Sequence, residues 1–449
     1  VLGKVIIRNG MKIIAQWTSP SVEKVSSPKK CKQVFLILLI SFVSKLACAG
    51  VGLTEEDFLT DIPKVMSATR LPQSVVDTPV AMTVIDREMI EASGFIEIPD
   101  LFRLVPGFQV GLSWRDHHSS VTYHGQSDGL SRRMQVLIDG RVAVGSLFGI
   151  VDWDRLGIVI DDIDRIEVVR GPASVAYGSS AFAGAINIVT RESFANPGWR
   201  IGMTRGSDDI GVVSTQYSHV GERFDYVASA GYFHTDGFDG VDDESIARSG
   251  RLKGHYQYTS NIALDFQLGY SEGPWGRGGT GISIDPVADK KATERYGNFR
   301  LTQSASPGNE WYFQFGLSAT EEEDKYSAGL LSDILEVPPA QVPVLVPGQQ
   351  DQQIIGSVFD FTSNRLDLEF QKMSMLGDKH RTVWGLGYRK DTVKGISVIG
   401  TNDSESMETY RAFGNLEYRL SEHILLNVGT TYEDNMLLKG SFLRGWDSI

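Results

Sequence analysis

From about Trp199 onward the chain alternates between apolar and polar positions. In Asn261–Tyr270, Ile262, Leu264, Phe266, Leu268 and Tyr270 share one side, and Ala263, Asp265, Gln267 and Gly269 the other. Trp311, Phe313, Phe315 and Leu317 oppose Tyr312, Gln314, Gly316 and Ser318 in the same way. Phe224–Tyr232, Trp384–Tyr388, Tyr410–Leu420 and Ile424–Val428 repeat the pattern. A period of two predicts strands with unlike faces. Runs of about ten residues, often ending in Tyr, Trp or Phe, fit strands with lipid on one side and a polar lumen on the other. A soluble sandwich alternates too, but its strands usually hold about five or six residues. The connections separate the two readings further. Gly221–Arg223, Tyr258–Ser260, Ala305–Asn309 and Ser421–Glu422 are short, whereas Asp236–Ser249, Glu272–Ala292, Glu322–Gly356 and Asp391–Ser406 are long. Short turns at one rim and long loops at the other describe a transmembrane barrel. The longest loop, Glu322–Gly356, reads either as a mobile surface loop or as a lid over a ligand.

Between Ala68 and Ser193 the pattern changes to shorter strands and dense Gly/Pro punctuation. Val80–Ile85 predicts a strand, and Asp86 an N-cap for a short helix with Glu88 in its first turn. Ile98–Leu104 predicts a second helix, stopped by Pro106-Gly107 and followed by a strand at Gly107–Val110. Met134–Ile138 enters a tight turn at Asp139-Gly140. Two β-type runs, Ile163–Val169 and Ala185–Thr190, flank a small-residue segment with Gly171, Pro172, Gly178 and Gly184, which permits sharp turns and close backbone approach.

Composition narrows the class. The 449 residues are 41% hydrophobic and 22% charged, which excludes an ordinary helical membrane protein. The net charge of −13 argues against nucleic acid as a partner. Lys29-Lys30-Cys31-Lys32, the ten-residue apolar run Val34–Val43, broken only by Ser41, and Ala47-Cys48-Ala49 form a secretory signal, with cleavage expected before Gly50. That cleavage would remove both cysteines, Cys31 and Cys48, and with them any cysteine metal site. Gly140–Gly145 lacks the Lys-Ser/Thr of a phosphate-binding loop. No His-Glu-x-x-His site occurs, and the Ser, His and Asp residues show no spacing that suggests a triad, so no catalytic residue, cofactor or metal site is expected. One cluster invites a ligand: Trp114, Arg115, Asp116, His117 and His118 could offer a stacking face, charge and imidazole nitrogens. An ordinary polar loop is the other reading, since adjacent residues of an extended segment point to opposite sides. Ser146–Trp153 is a second, weaker ligand candidate.

The run Ile163–Arg191, nearly thirty residues, closely resembles the end of the plug domain of TonB-dependent outer-membrane receptors. Thr78–Ile90, Leu101–Val110 and Val136–Arg141 match the same plug in the same order. The positions carrying the match are Asp139, Gly140, Arg165, Glu167, Arg170, Gly171, Pro172, Tyr177, Gly178, Gly184 and Asn187. Tyr123-His124-Gly125 departs from the Arg-Gly often found there. The resemblance implies a mostly β protein: a transmembrane antiparallel β-barrel of 22 strands with an α+β plug in its lumen. About eleven strands are counted, and Arg444–Ile449 lacks the expected aromatic terminal residue, so the chain reads as C-terminally truncated. The expected divisions are 1–49 leader and signal peptide, 50–70 periplasmic segment, 71–195 plug and 196–449 partial barrel. If Trp199–Arg205 rises from the periplasm, the short turns lie inside and the long loops outside, with Ser207–Ile210 the one short outer loop.

The resemblance further implies a TonB box, placed at Asp61, Ile62, Pro63, Lys64, Val65 and Met66, where an extended segment could add as a strand to its partner. The implied function is TonB-dependent active transport across the outer membrane, powered through TonB with ExbB and ExbD. A ferric siderophore leads as ligand because it is the commonest assignment; haem, cobalamin, copper and oligosaccharide are alternatives, as is a passive porin-like barrel. About twenty residues between Gly50 and the plug leave no room for a signalling domain, which points to transport alone.

Overall fold

The computed structural model describes residues 3–8, 14–17, 64–65, 70–71, 73–74, 78–113, 119–125, 132–207, 209–277, 288–356, 360–377, 379–421 and 424–438. From Gly198 to Leu438 eleven antiparallel strands follow one another as a meander, each paired with its neighbour in sequence. Gln353–Gly356 pairs alongside the outer end of Asn309–Leu330. At the first edge, Gly3–Arg8 pairs with Gly198–Arg205 and with Ile14–Trp17. The secretory signal expected at Lys29–Ala49 lies outside the described residues. Among the described residues no helix is long and apolar enough to cross a membrane.

The meander's two faces differ as the alternation predicts. Outward stand Ile201, Met203, Leu268, Leu301, Phe313, Leu317, Leu386 and Val428, all exposed. Trp199 against Tyr217, and Phe370 against Trp384, form aromatic pairs on this face. Inward stand Arg200, Gln216, Arg251, Gln267, Asn298, Gln314, Glu369 and Glu417, all buried. A wall with exposed Leu, Ile and Phe on its convex side and buried charges on its concave side is a lipid-facing barrel wall around a filled lumen.

The strands run longer than the sequence suggests. Ile262–Arg277, Ala288–Ser306 and Asn309–Leu330 extend into what reads as loop at Glu272–Ala292 and Glu322–Gly356. Ser245–Thr259, His380–Lys394 and Ser404–Ser421 likewise trim the other two long loops. Beyond the apolar belt the outward positions become charged, and opposite charges face across the ladder: Lys291 against Glu323, Asp289 against Lys325, Lys390 against Glu408. Such pairs keep strands together where hydrophobic periodicity has ended.

Inside the wall sits the plug. Its mixed sheet has the order Ala81–Ile85, Ile163–Arg170, Gly184–Thr190, Met134–Ile138, Arg141–Val142, with the third and fourth members parallel. Asp86 Oδ1 accepts from the Met89 N–H at 2.8 Å, capping a helix over Arg87–Ser93 that ends at Gly94, φ 70°. The second expected helix is a 3₁₀ segment, Pro99–Leu104. Together they cover the sheet with Ile90, Leu101 and Phe102, closing a core with Ile85, Val136, Trp153, Ile166, Val168, Ile186 and Ile188. The rings of Phe102 and Trp153 meet edge to face at 5.0 Å.

Candidate functional site

The matching plug positions divide by role. Asp139 and Gly140 adopt φ 48° and 82°, the two left-handed residues of a tight hairpin turn between Ile138 and Arg141. Arg165, Glu167 and Asn187 lie side by side on the central hairpin: Arg165 donates to Glu167 at 3.0 Å, and Asn187 Nδ2 donates to it at 3.5 Å. Arg170, Gly171, Pro172 and Gly184 build the far end of that hairpin. A Cβ on Gly184 would strike the Val169 carbonyl oxygen, so only glycine lets these strands approach. Tyr177 ends a short helix, Ser174–Tyr177, and Gly178 follows at φ 83°.

Three ionic networks tie plug to wall. The first centres on Asp139, which accepts from the Thr190 N–H at 2.8 Å and the Thr190 hydroxyl at 2.5 Å. Arg251 and Lys253 of the wall stand 3.5 and 3.6 Å away. Burial would raise this carboxyl's pKa, but Lys253, Arg251 and the Thr190 bonds hold it below the usual aspartate value. In the second, Glu91 faces Arg87, Arg191 and the wall's Arg200, while Asp161 bridges Arg87 and Arg200. Burial, with Arg200 and Arg87 nearby, lowers the pKa of Arg191 to about 9. A charge so crowded by like charges depends on Glu91 and Asp161.

The third network begins at Arg70, just after the expected TonB box. Its buried guanidinium donates to Glu369 at 2.5 Å, to Gln371 at 3.2 Å and to the plug's own Ala176 carbonyl at 2.6 Å. It also covers the Phe413 ring at 4.4 Å. Glu369 is shared with Arg411 and with the Tyr312 hydroxyl at 2.6 Å. Gln73 adds a bond to Glu417, which Arg381 holds at 2.7 Å. Within the expected box, Lys64–Val65 pairs antiparallel with Gln73–Ser74; Asp61, Ile62, Pro63 and Met66 lie outside the described residues. Reasoning from sequence missed Arg70 and its wall partners. Arg365, Asp367, Glu369 and Gln371 form an inward charged row on one strand, a pattern that a water-filled lumen would show as well.

Glycines shape the same seam reciprocally. On the wall, a Cβ at Gly202 would collide with Asp161, at Gly231 with Val159 and at Gly429 with Val175, all plug residues. On the plug, Gly140 receives Arg300, Gly157 receives Tyr296 and Gly178 receives Glu433, all from the wall. Two of the matching glycines are therefore seats for wall side chains.

Toward the outer rim, plug and wall enclose a cavity of about 310 Å³ lined by Ser146, Phe148, Asp152, Trp275, Glu294 and Phe361. Arg155 lies over one wall ring, 3.7 Å from the Trp275 centroid, with Lys290 at 5.5 Å. This vestibule combines aromatic surfaces with charges of both signs, and it includes much of Ser146–Trp153. Trp114, Arg115, Asp116, His117 and His118 lie outside the described residues.

Comparison with known proteins agrees with this geometry. The sequence profile of the TonB-dependent receptor plug domain matches residues 74–185. The vitamin B12 transporter BtuB of Vibrio vulnificus is 30% identical over 211 residues, covering 46% of this chain and 34% of the transporter. The ferric-catecholate import receptor Fiu from E. coli K12 has TM-score 0.62 at 14% identity, over 83% of this chain and 62% of that one. The siderophore receptor PirA from Pseudomonas aeruginosa has TM-score 0.57 at 17% identity, over 79% and 56%. The chain thus spans less than two thirds of the length of each of these relatives.

Proposed function

We infer, from the chain's membership of the TonB-dependent outer-membrane receptors, that it serves active uptake of a scarce, bulky ligand, with a ferric siderophore first among ligands. The family consists of transporters and receptors rather than enzymes. One observation carries the coupling. The described part of the segment that follows the expected TonB box is held to the wall by a buried ion pair, Arg70 with Glu369, by Gln73 on Glu417 and by Leu71 packed on Met373, Val383 and Phe413. A pull on Asp61–Met66 reaches that pair directly. Energy has to arrive this way, because the outer membrane has no nucleotide triphosphate beside it; TonB with ExbB and ExbD is the proposed source.

The ligand class has thinner support. Similar folds include a siderophore receptor and a ferric-catecholate import receptor, whereas the curated relative is a vitamin B12 transporter. The vestibule's lining, Trp275 with Arg155 and Lys290 beside Asp152, Glu294 and Glu322, offers stacking and charges of both signs and favours no one ligand charge. Haem, cobalamin, copper complexes and oligosaccharides are the competing ligands. A passive porin-like barrel is disfavoured by a lumen filled with packed plug.

Deleting Asp61–Met66 tests the coupling. Cells should still bind a radiolabelled ferric chelate at their surface but should cease to accumulate it, and undiminished accumulation would end the proposal. Growth of a deletion strain on a panel of ferric siderophores, haem, cobalamin and glycans identifies the ligand.

A further inference from the structure

At the first three wall strands the apolar belt ends abruptly. Met203, Val213 and Tyr232 form one outward rung across Gly198–Arg205, Gly211–His219 and Phe224–Thr235, and all three are exposed. Two positions farther out, about 7 Å along the strands, the next outward rung is Arg205, Gly211 and His234. Gly211 carries no side chain, so a gap separates Arg205 from His234. Two carboxylates converge there. Asp209 comes from the short connection Ser207–Ile210, and Asp236 follows the end of the third strand. His234 Nε2 lies 3.6 Å from Asp209 Oδ2 and 3.2 Å from Asp236 Oδ1.

One ligand atom from each of Asp209, His234 and Asp236 lies within 4.8 Å of the others, an arrangement able to hold a metal ion. His234 Nδ1 is buried, so Nε2 is the nitrogen presented. As a donor, Nε2–H serves Asp236 at most, because 3.6 Å to Asp209 is too long for a hydrogen bond. A cation would serve both oxygens at once. In a tetrahedron with metal–ligand bonds of about 2.0–2.1 Å, ligand atoms stand about 3.3–3.4 Å apart. The spacings of 3.2 and 3.6 Å bracket that edge. Asp209 is also oriented from behind: its other oxygen, Oδ1, pairs with Arg205, and such outer partners fix a ligating carboxylate. The Asp236 side chain is 62% exposed, which leaves a fourth position open to water. No motif spacing marks the group, because its members come from two separate outer connections.

We propose that Asp209, His234 and Asp236 bind a divalent transition cation of the zinc class, one ion per chain, with water as the fourth ligand. The imidazole sets the class, since calcium and magnesium take oxygen ligands. The ion ties the connection 207–210 to the end of Phe224–Thr235 on the outward face, one rung beyond the apolar belt. It is a staple of the rim, on the opposite side of the wall from the lumen, and not the cargo. The site stands whether or not uptake is the function of the chain.

The test uses the full chain extracted from outer membranes into detergent, with Cys31→Ala and Cys48→Ala to remove thiol ligands. Zn²⁺ alone is titrated by calorimetry, and Co²⁺ takes its place for absorption spectroscopy. One Zn²⁺ per chain should bind, and Co²⁺ should give the intense visible bands of a tetrahedral site rather than weak octahedral ones. Asp236→Asn and His234→Gln should each weaken Zn²⁺ binding at least about tenfold, the smallest loss expected even for an outer partner. Asp239→Asn, which removes an exposed carboxylate from the same connection, should leave the affinity unchanged. Zn²⁺ should slow hydrogen exchange at the amides of Gly206 and Ile210, which close the 207–210 turn, in the parent chain but not in Asp236→Asn. The proposal is overturned if no stoichiometric Zn²⁺ binds, if Asp236→Asn binds as the parent does, if Asp239→Asn weakens binding equally, or if Ca²⁺ at the same concentration displaces Zn²⁺. Asp236 is exposed, so its variant keeps the fold, and heat-modifiable mobility confirms this for each protein.

Discussion

Replacing Arg70 by alanine isolates the contact on which the proposed coupling depends. Removing one member of a buried ion pair costs about 3–5 kcal/mol when the other charge is abandoned. Here Glu369 is not abandoned, since Arg411 and the Tyr312 hydroxyl still bind it, so the loss falls to about 2–3 kcal/mol. That loss is local. Among the described residues of 64–74, further hold comes from a two-residue ladder, Lys64–Val65 with Gln73–Ser74, from Gln73 on Glu417, and from Leu71 packed on Met373, Val383 and Phe413. At 1.4 kcal/mol per tenfold, opening of this segment should become roughly 30- to 150-fold more frequent. Hydrogen exchange read by mass spectrometry should show that acceleration at residues 64–74, with the amides of Ile186 and Ile188 unaffected because they lie in the plug's central sheet. Arg70→Lys keeps the charge but loses the forked geometry, and should fall between. Unchanged exchange at 64–74, or equal acceleration at Ile186 and Ile188, would refute the view of Arg70 as a discrete latch.

Two other perturbations test the plug and the wall separately. Glu97 is raised from 4.5 to about 7 by burial, with Asp154 and Asp100 adding to the effect. The folded plug therefore binds a proton more tightly than the unfolded chain. Its stability should fall by up to about 3 kcal/mol as pH rises from 4.5 through 7. Glu97→Gln should raise the plug's calorimetric midpoint at pH 8 and leave it unchanged at pH 4; a gain at both would show another cause. Leu386 stands 55% exposed on the outward face between Phe370 and Ala412. Leu386→Arg should cost about 2–4 kcal/mol of folding into lipid vesicles, whereas a neutral outcome would mean that this face does not meet lipid.

What the sequence made legible was whatever repeats or punctuates. Alternation located the wall strands and their inner and outer faces, and Asp86 and the Asp139-Gly140 turn did as their side chains predict. Strand ends were hidden because the ladder outruns the apolar belt on charged pairs such as Lys291 with Glu323, which look like loop composition. The seam was hidden for a different reason. Arg70 and Glu369 are 299 positions apart, and no local pattern announces that two such residues will be buried together. Asp139 could be read as a turn residue but not as the hub for Arg251 and Lys253. Gly140 and Gly178 could be read as flexible but not as seats for Arg300 and Glu433. Within the expected TonB box, the pairing of Lys64–Val65 with Gln73–Ser74 was not foreseen, although Pro72 is a turn signal on the return segment.

The interlocking glycines bear on how such receptors can diversify. Because Gly202, Gly231 and Gly429 hollow the cylinder only where Asp161, Val159 and Val175 protrude, stopper and cylinder are cut as lock and key. This stopper grafted into a cylinder that lacks those glycines would meet β-carbons there and sit proud of them. New ligand preferences are then cheaper to acquire at the rim, on the outer loops, than by exchanging the two parts.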